Sequence, residues 1–354
     1  MNPPITRDTR FDRLFEQVQI GPVTAPNRFY QVPHCTGMGY GSPQTLAAMR
    51  EVKAEGGWGV VNTEYCSIHP SSDDAPYPHC ALWDQQDIPN MSLITEKIHR
   101  HGSLAGVELW HGGMRSSNLR SRLAPLGPVS LPTSNDPFQC QAMDRQDIKT
   151  FKQWHREAVK RAIQCEFDII YVYATHTYLL SQFLDPAVNT RTDEYGGSLE
   201  NRFRLVRELL EETAEEIRHR AAVAVRIAVD DNESHVAAPP GILSTLATYC
   251  DLFDVTVSNY KHEMGVSRFV KEASLEDQVK NVRQITGKPV VSVGRFTSPE
   301  TMLSQVRRGI LDFIGAARPS IADPFLPTKI REGRFDDIRE CIGCNICYAG
   351  DGRA

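Results

Sequence analysis

The chain of 354 residues is 41% hydrophobic and 23% charged, with a formal net charge of -5 and an isoelectric point near 6.1. That balance suits one large globular core and excludes a disordered chain, and it leaves no basic surplus for nucleic acid or an anionic membrane surface. No apolar run nears the ~18 residues of a membrane-spanning helix, and Met1-Asn2-Pro3-Pro4 lacks the basic and apolar regions of a signal peptide, so a cytoplasmic location is expected.

Residues 8–30 read as a lead-in, with turns at Gly21-Pro22 and Pro26-Asn27 before a strand starts at Arg28-Phe29-Tyr30. Short apolar runs then recur at Phe29–Val32, Val60–Tyr65, Ala105–Trp110, Ile169–Ala174, Val223–Val229, Phe253–Val257, Val290–Gly294 and Phe313–Ala317. Helix-length amphipathic stretches separate them. Eight β-branched-rich strands alternating with helices predict parallel strands buried on both faces, in a (β/α)8 TIM barrel of the α/β class. The clearest helix begins at Ser198, with Leu199, Phe203, Val206, Leu210 and Ile217 on one face.

Two connections are long, His111–Gln146 after the third strand and Thr175–Tyr195 after the fourth. The carboxyl ends of barrel strands carry binding and catalytic residues in such folds, so the site is expected there. Residues 1–330 form the barrel on this reading, and residues 331–354 a short cysteine-bearing extension.

Six of the nine cysteines are scattered and read mostly as plain buried thiols. The other three, Cys341, Cys344 and Cys347, form a C-x2-C-x2-C run that fits a partial zinc site, a redox pair with a spare thiol, or an iron–sulfur cluster. Gly294-Arg295 and Gly315-Ala316-Ala317-Arg318 close the last two strands, where barrels build a phosphate cup from backbone amides and cationic side chains. Arg226 sits within an apolar strand and needs an anionic partner, either an electron-rich flavin ring or a carboxylate such as Glu108. Tyr173 and His176 leave the fourth strand together, a phenol beside an imidazole suited to proton handling or substrate binding.

Several long stretches resemble the flavin barrel of the trimethylamine, dimethylamine and histamine dehydrogenase family, within the old yellow enzyme superfamily. They are Asn27–Cys35, Lys53–Trp58, Asn62–Cys66, Gly106–Trp110, Arg191–Asn201, Ala317–Pro327 and the cysteine run. The resemblance implies an FMN with its phosphate at Arg295 and Arg318 beside Gly294 and Ala317. The ring would lie near Pro33, Glu108 and Arg226, its C6 carbon bonded to the sulfur of Cys35. It further implies oxidation of a small amine, with electrons passing from 6-S-cysteinyl FMN to a [4Fe–4S] cluster on Cys341, Cys344 and Cys347, then to an electron-transferring flavoprotein. Tyr65 matches an aromatic wall for an alkylammonium, and Tyr173 and His176 match two members of a Tyr–His–Asp set. Around residues 258–263 the pattern departs: Tyr260 stands where a tryptophan is expected and Glu263 where the aspartate is expected. A homodimer is what relatives suggest. No cysteine follows Cys347, so a fragment with weak cluster incorporation is one expectation. The competing functions are an NAD(P)H-dependent ene or dienoyl reductase on the same barrel, and a flavin-free barrel fragment.

Overall fold

The computed structural model describes residues 7–75, 79–133, 138–229, 236–258 and 269–349. Eight strands close on themselves: β1 (Phe29–Gln31), β2 (Val60–Ser67), β3 (Leu104–Trp110), β4 (Ile169–Ala174), β5 (Ala222–Ala228), β6 (Leu252–Thr256), β7 (Val290–Ser292) and β8 (Phe313–Ala316). Every neighbouring pair is parallel, and β1 bonds to both β8 and β2, which completes the cylinder. The strands read as unbroken buried runs because helices cover the outer face and side chains fill the inner one, so no position faces water. The expected TIM barrel is the observed fold. Its strand limits agree with the sequence reading to within a residue or two at most ends.

The outer layer is formed by α1 (Pro43–Glu55), α2 (Ile88–His99), α3 (Arg145–Gln164), α4 (Leu199–Ile217), α5 (Pro240–Leu246) and α6 (Pro299–Arg307). Helix α4 starts where Ser198 accepts a hydrogen bond from the Asn201 amide, and Phe203, Val206, Leu210 and Ile217 are buried as expected. Leu199 is the exception at 36% exposed, because the first residue of the helix lies ahead of the turn that meets the strands. Helix α3 begins at a reciprocal cap between Asp144 and Asp147.

A hairpin of Val18–Ile20 and Val23–Ala25 was not anticipated, since three-residue strands carry no readable period. Its Val18, Ile20 and Ala25 pack with Tyr30, Ile169, Tyr171, Leu252 and Phe313, so the amino-terminal end of the barrel is plugged. Above that plug, the Tyr30 and Tyr171 hydroxyls hydrogen-bond across the axis. A Cβ on Gly106 would sit 1.9 Å from the Asn62 Oδ1, so only glycine leaves Asn62 room inside the cylinder. The floor is therefore solid, and the cavity described below opens at the carboxyl-terminal mouth.

Beside the strands, His99 Nε2 lies 2.8 Å from Asp168 Oδ2, tying the end of α2 to the start of β4. This hydrogen bond, working against partial burial, raises the imidazole above its ordinary 6.5. A raised folded-state value gives stability that is fully present below 6.5 and is lost as the pH rises through the raised value. His99→Gln is expected to flatten that slope, seen by comparing urea midpoints at about pH 6 and about pH 8.

Candidate active site

The mouth holds a cavity of about 310 Å³. Pro33, Cys35, Tyr65, Glu108, Tyr173, His176, Arg226, Gly294, Arg295, Ala317, Arg318 and Cys347 all line it, so residues scattered over three hundred positions of the chain share one space. Tyr260 and Glu263 lie outside the described residues. No helix among the described residues is long and apolar enough to cross a membrane.

The cavity floor is a buried charge cluster. Arg226 Nη1 lies 3.3 Å from Glu108 Oε1, and Arg226 Nε lies 4.0 Å from Asp254 Oδ2, with side chains 7%, 2% and 2% exposed. Arg226 is the cross-strand neighbour of both Tyr173 and Asp254, which is why its guanidinium also lies 5.5 Å from the Tyr173 ring centroid. The carboxylate partner considered for Arg226 is thus present. A second one, Asp254, was missed because β5 and β6 reveal their register only in three dimensions. Arg226 Nη1 also donates to the Pro33 carbonyl at 3.4 Å, joining the floor to the loop that carries Cys35.

That loop is held from behind by Glu64, a residue that sequence reasoning did not single out. Its fully buried carboxylate accepts from the Thr36 amide, from Thr36 Oγ1 at 2.8 Å, and from the Gly37 and Gly39 amides at 2.8 Å each. A Cβ on Gly39 would fall 2.5 Å from Glu64 Oε1, so glycine is required for the approach. His34 is half-buried between Arg50 and Lys53: its Nε2 accepts from Arg50 Nη1 at 2.7 Å and Lys53 Nζ at 2.9 Å. Burial first, and then Arg50 and Lys53, push His34 well below its ordinary value. It is a neutral acceptor.

One side of the cavity is aromatic. Tyr65 stacks on Trp110 with centroids 4.3 Å apart, while Tyr178 meets Trp110 at 5.2 Å, Tyr173 at 5.3 Å and Tyr65 at 6.0 Å. Cys35 packs against this group. The Tyr173 hydroxyl and His176 Nδ1 share a hydrogen bond of 2.7 Å, with His176 and Thr177 both in the left-handed region at φ 59° and 62°. Burial, and next the Glu108 charge, push the Tyr173 phenol well above its ordinary value, so it stays protonated at neutral pH. Behind Tyr65, Asp74 accepts the Tyr65 hydroxyl and lies 3.0 Å from His79 Nδ1. The aromatic Tyr178, in the long loop after β4, was the signal available for this wall.

The opposite end is cationic. Arg295, at φ 52°, donates from Nη1 to the Cys341 carbonyl and from Nη2 to the Val270 carbonyl, each at 3.0 Å. Arg318 Nη1 donates to Asn345 Oδ1 at 2.6 Å. The cysteine run therefore lies across this end as a strap. Cys341 is buried, Cys344 exposed and Cys347 half-buried on the cavity wall. Among the described residues no group of three or more His, Cys, Asp or Glu is arranged to hold a metal ion, so the three thiols are not brought together. The residues present do not fit a complete four-thiolate cluster.

Residues 13–337 match the NADH:flavin oxidoreductase / NADH oxidase family. The chain belongs to that family. It is 42% identical over 360 residues to dimethylamine dehydrogenase of Hyphomicrobium sp. (strain x), covering 98% of this chain and 49% of that protein. In structure it is similar to 6-hydroxypseudooxynicotine amine oxidase of Pseudomonas geniculata N1, with a TM-score of 0.94 at 47% identity over 98% of this chain and 54% of that one. It is similar also to histamine dehydrogenase of Rhizobium sp. 4-9, with a TM-score of 0.93 at 46% identity over 97% and 51%. The expected resemblance to amine dehydrogenases is borne out. The chain spans about half the length of each of these three. For a flavin oxidoreductase of the FMN class the cavity fits its cofactor: Arg295 Nε is buried without a hydrogen-bond partner among the described residues, a donor left over for a phosphate oxygen at the cationic end.

Proposed function

We propose that the chain is the flavin-bearing part of an amine dehydrogenase that oxidises a small amine. The observation that carries this is the aromatic wall of Tyr65, Tyr173 and Tyr178, backed by Trp110 and packed against Cys35, at the far side of the cavity from Arg295 and Arg318. Arg295 and Arg318 would hold the FMN phosphate, Arg226 and Glu108 would lie under the ring, and Cys35 would bond to it. Bound FMN supplies a two-electron sink. A C–H bond next to the amine nitrogen loses a proton and two electrons, giving an iminium that takes up water and breaks into a smaller amine and an aldehyde.

The protein's own contribution is placement and proton handling. An alkylammonium is attracted to the electron-rich faces of Tyr65 and Tyr178, which line the cavity. Tyr65 is anchored by Asp74, which orients its ring and adds negative charge behind it. The Tyr173–His176 pair, next to the Arg226 charge, can exchange a proton with the amine nitrogen or with the attacking water. Tyr260 and Glu263 are carried in this reading as further substrate-side and catalytic residues. The onward route implied by the resemblance, a cluster on Cys341, Cys344 and Cys347 and then an electron-transferring flavoprotein, would leave at the strap, where Cys347 reaches the wall. With the thiols apart, no step of the reading runs through a cluster.

Anaerobic mixing of the yellow protein with dimethylamine, trimethylamine, histamine and N-methylated amino acids is expected to bleach the flavin band with at least one of them. Bleaching by NAD(P)H but by none of the amines would assign the barrel to the reductase class instead.

A further inference from the structure

The cavity holds one more guanidinium, at its aromatic end, that neither the phosphate nor the ring accounts for. Arg115 ends the helical turn Gly113–Arg115 just after β3 and lines the cavity. Its Nη1 donates to Thr177 Oγ1 at 2.8 Å, and its guanidinium carbon lies 5.9 Å from the Tyr178 ring centroid. Among the described residues no carboxylate pairs with it. Tyr178 in turn borders Tyr65, Trp110 and Tyr173, so Arg115 sits one ring away from the space where an ammonium would lie.

For a simple alkylammonium this placement is a cost, because two cations are brought close and nothing in the molecule itself offsets the guanidinium. The cost becomes a gain when the amine carries its own negative group. The charges about the site suit such a molecule: Asp74 accepts the Tyr65 hydroxyl from outside the cavity lining, and the Arg115 guanidinium carbon lies 5.9 Å from the Tyr178 ring centroid within it. A zwitterion fits this arrangement with its nitrogen toward Tyr65 and its carboxylate toward Arg115. The planar guanidinium fork can take a carboxylate through two parallel hydrogen bonds.

We propose that the substrate is an amine bearing a carboxylate, of the N-methylated amino acid class, and that Arg115 is the residue that selects it. This deepens the amine dehydrogenase reading and rests on it. The test titrates two unreactive quaternary ammonium compounds, the zwitterion glycine betaine and the cation tetramethylammonium, into the flavin-loaded protein and follows the shift in flavin absorbance. Binding is thereby read without turnover. Glycine betaine is expected to bind more tightly than tetramethylammonium, and Arg115→Gln to reduce that preference roughly ten- to hundredfold. Arg115→Lys, which keeps the charge but loses the fork, should retain part of it. FMN content and the visible spectrum of each variant confirm that it is folded. Equal or weaker binding of glycine betaine in the parent, or an unchanged preference in Arg115→Gln, would overturn the assignment. Failure of every amine to bleach the flavin would instead strike the dehydrogenase reading and leave this binding result standing.

Discussion

Arg226→Met is expected to be the most destabilising single change in the cavity, lowering folding stability by about 3–5 kcal/mol. Methionine keeps much of the length and apolar stem, so the loss isolates the charge. It leaves Glu108 and Asp254, each 2% exposed, facing one another without the guanidinium between them. Attraction that had offset their desolvation turns into repulsion between like charges. The urea midpoint should fall with the slope unchanged, and adding Glu108→Gln and Asp254→Asn should restore most of it. A midpoint equal to the parent's would show that the two carboxylates do not depend on Arg226.

The second large effect is all-or-none. If Cys35 bonds to the flavin, acid precipitation of the parent leaves a yellow pellet, whereas Cys35→Ser should bind FMN and release all of it to the supernatant. Arg295, Arg318 and Arg226, which line the cavity and would hold FMN noncovalently on the proposed reading, are untouched by the substitution, so the variant should still be yellow before acid treatment. A colourless pellet from the parent would remove the covalent bond from the reading. It would also weaken the case for a dehydrogenase over a reductase.

How far the sequence reaches depends on whether a feature is local. The eight strands were legible because β-branched runs buried on both faces need no partner to be recognised. The Arg226 charge stood out within Val223-Ala224-Val225-Arg226-Ile227 for the same reason. Asp254 did not, although its strand was identified, because its pairing with Arg226 is a matter of register between β5 and β6. Glu64 reads as one more residue of β2 until the Thr36–Gly39 loop folds over it. Arg115 and Asp74 sit on connections whose paths no periodicity fixes, and they reach the site only through Thr177 and Tyr65. Loops obey tertiary geometry.

The strap has a thermodynamic consequence. Arg295 and Arg318 each hold part of the 341–345 segment with the same guanidinium groups that line the cationic end of the cavity. Two occupants that depend on the placement of the same guanidinium groups are linked, and linkage is reciprocal: whatever one does to the affinity for the other is returned by the same factor. On the proposed reading, in which Arg295 and Arg318 hold the FMN phosphate, filling that end would alter how firmly the cysteine segment is seated, and loosening the segment would alter the grip on the phosphate to an equal degree. Loading of the redox group and seating of the thiols would then be two faces of one equilibrium.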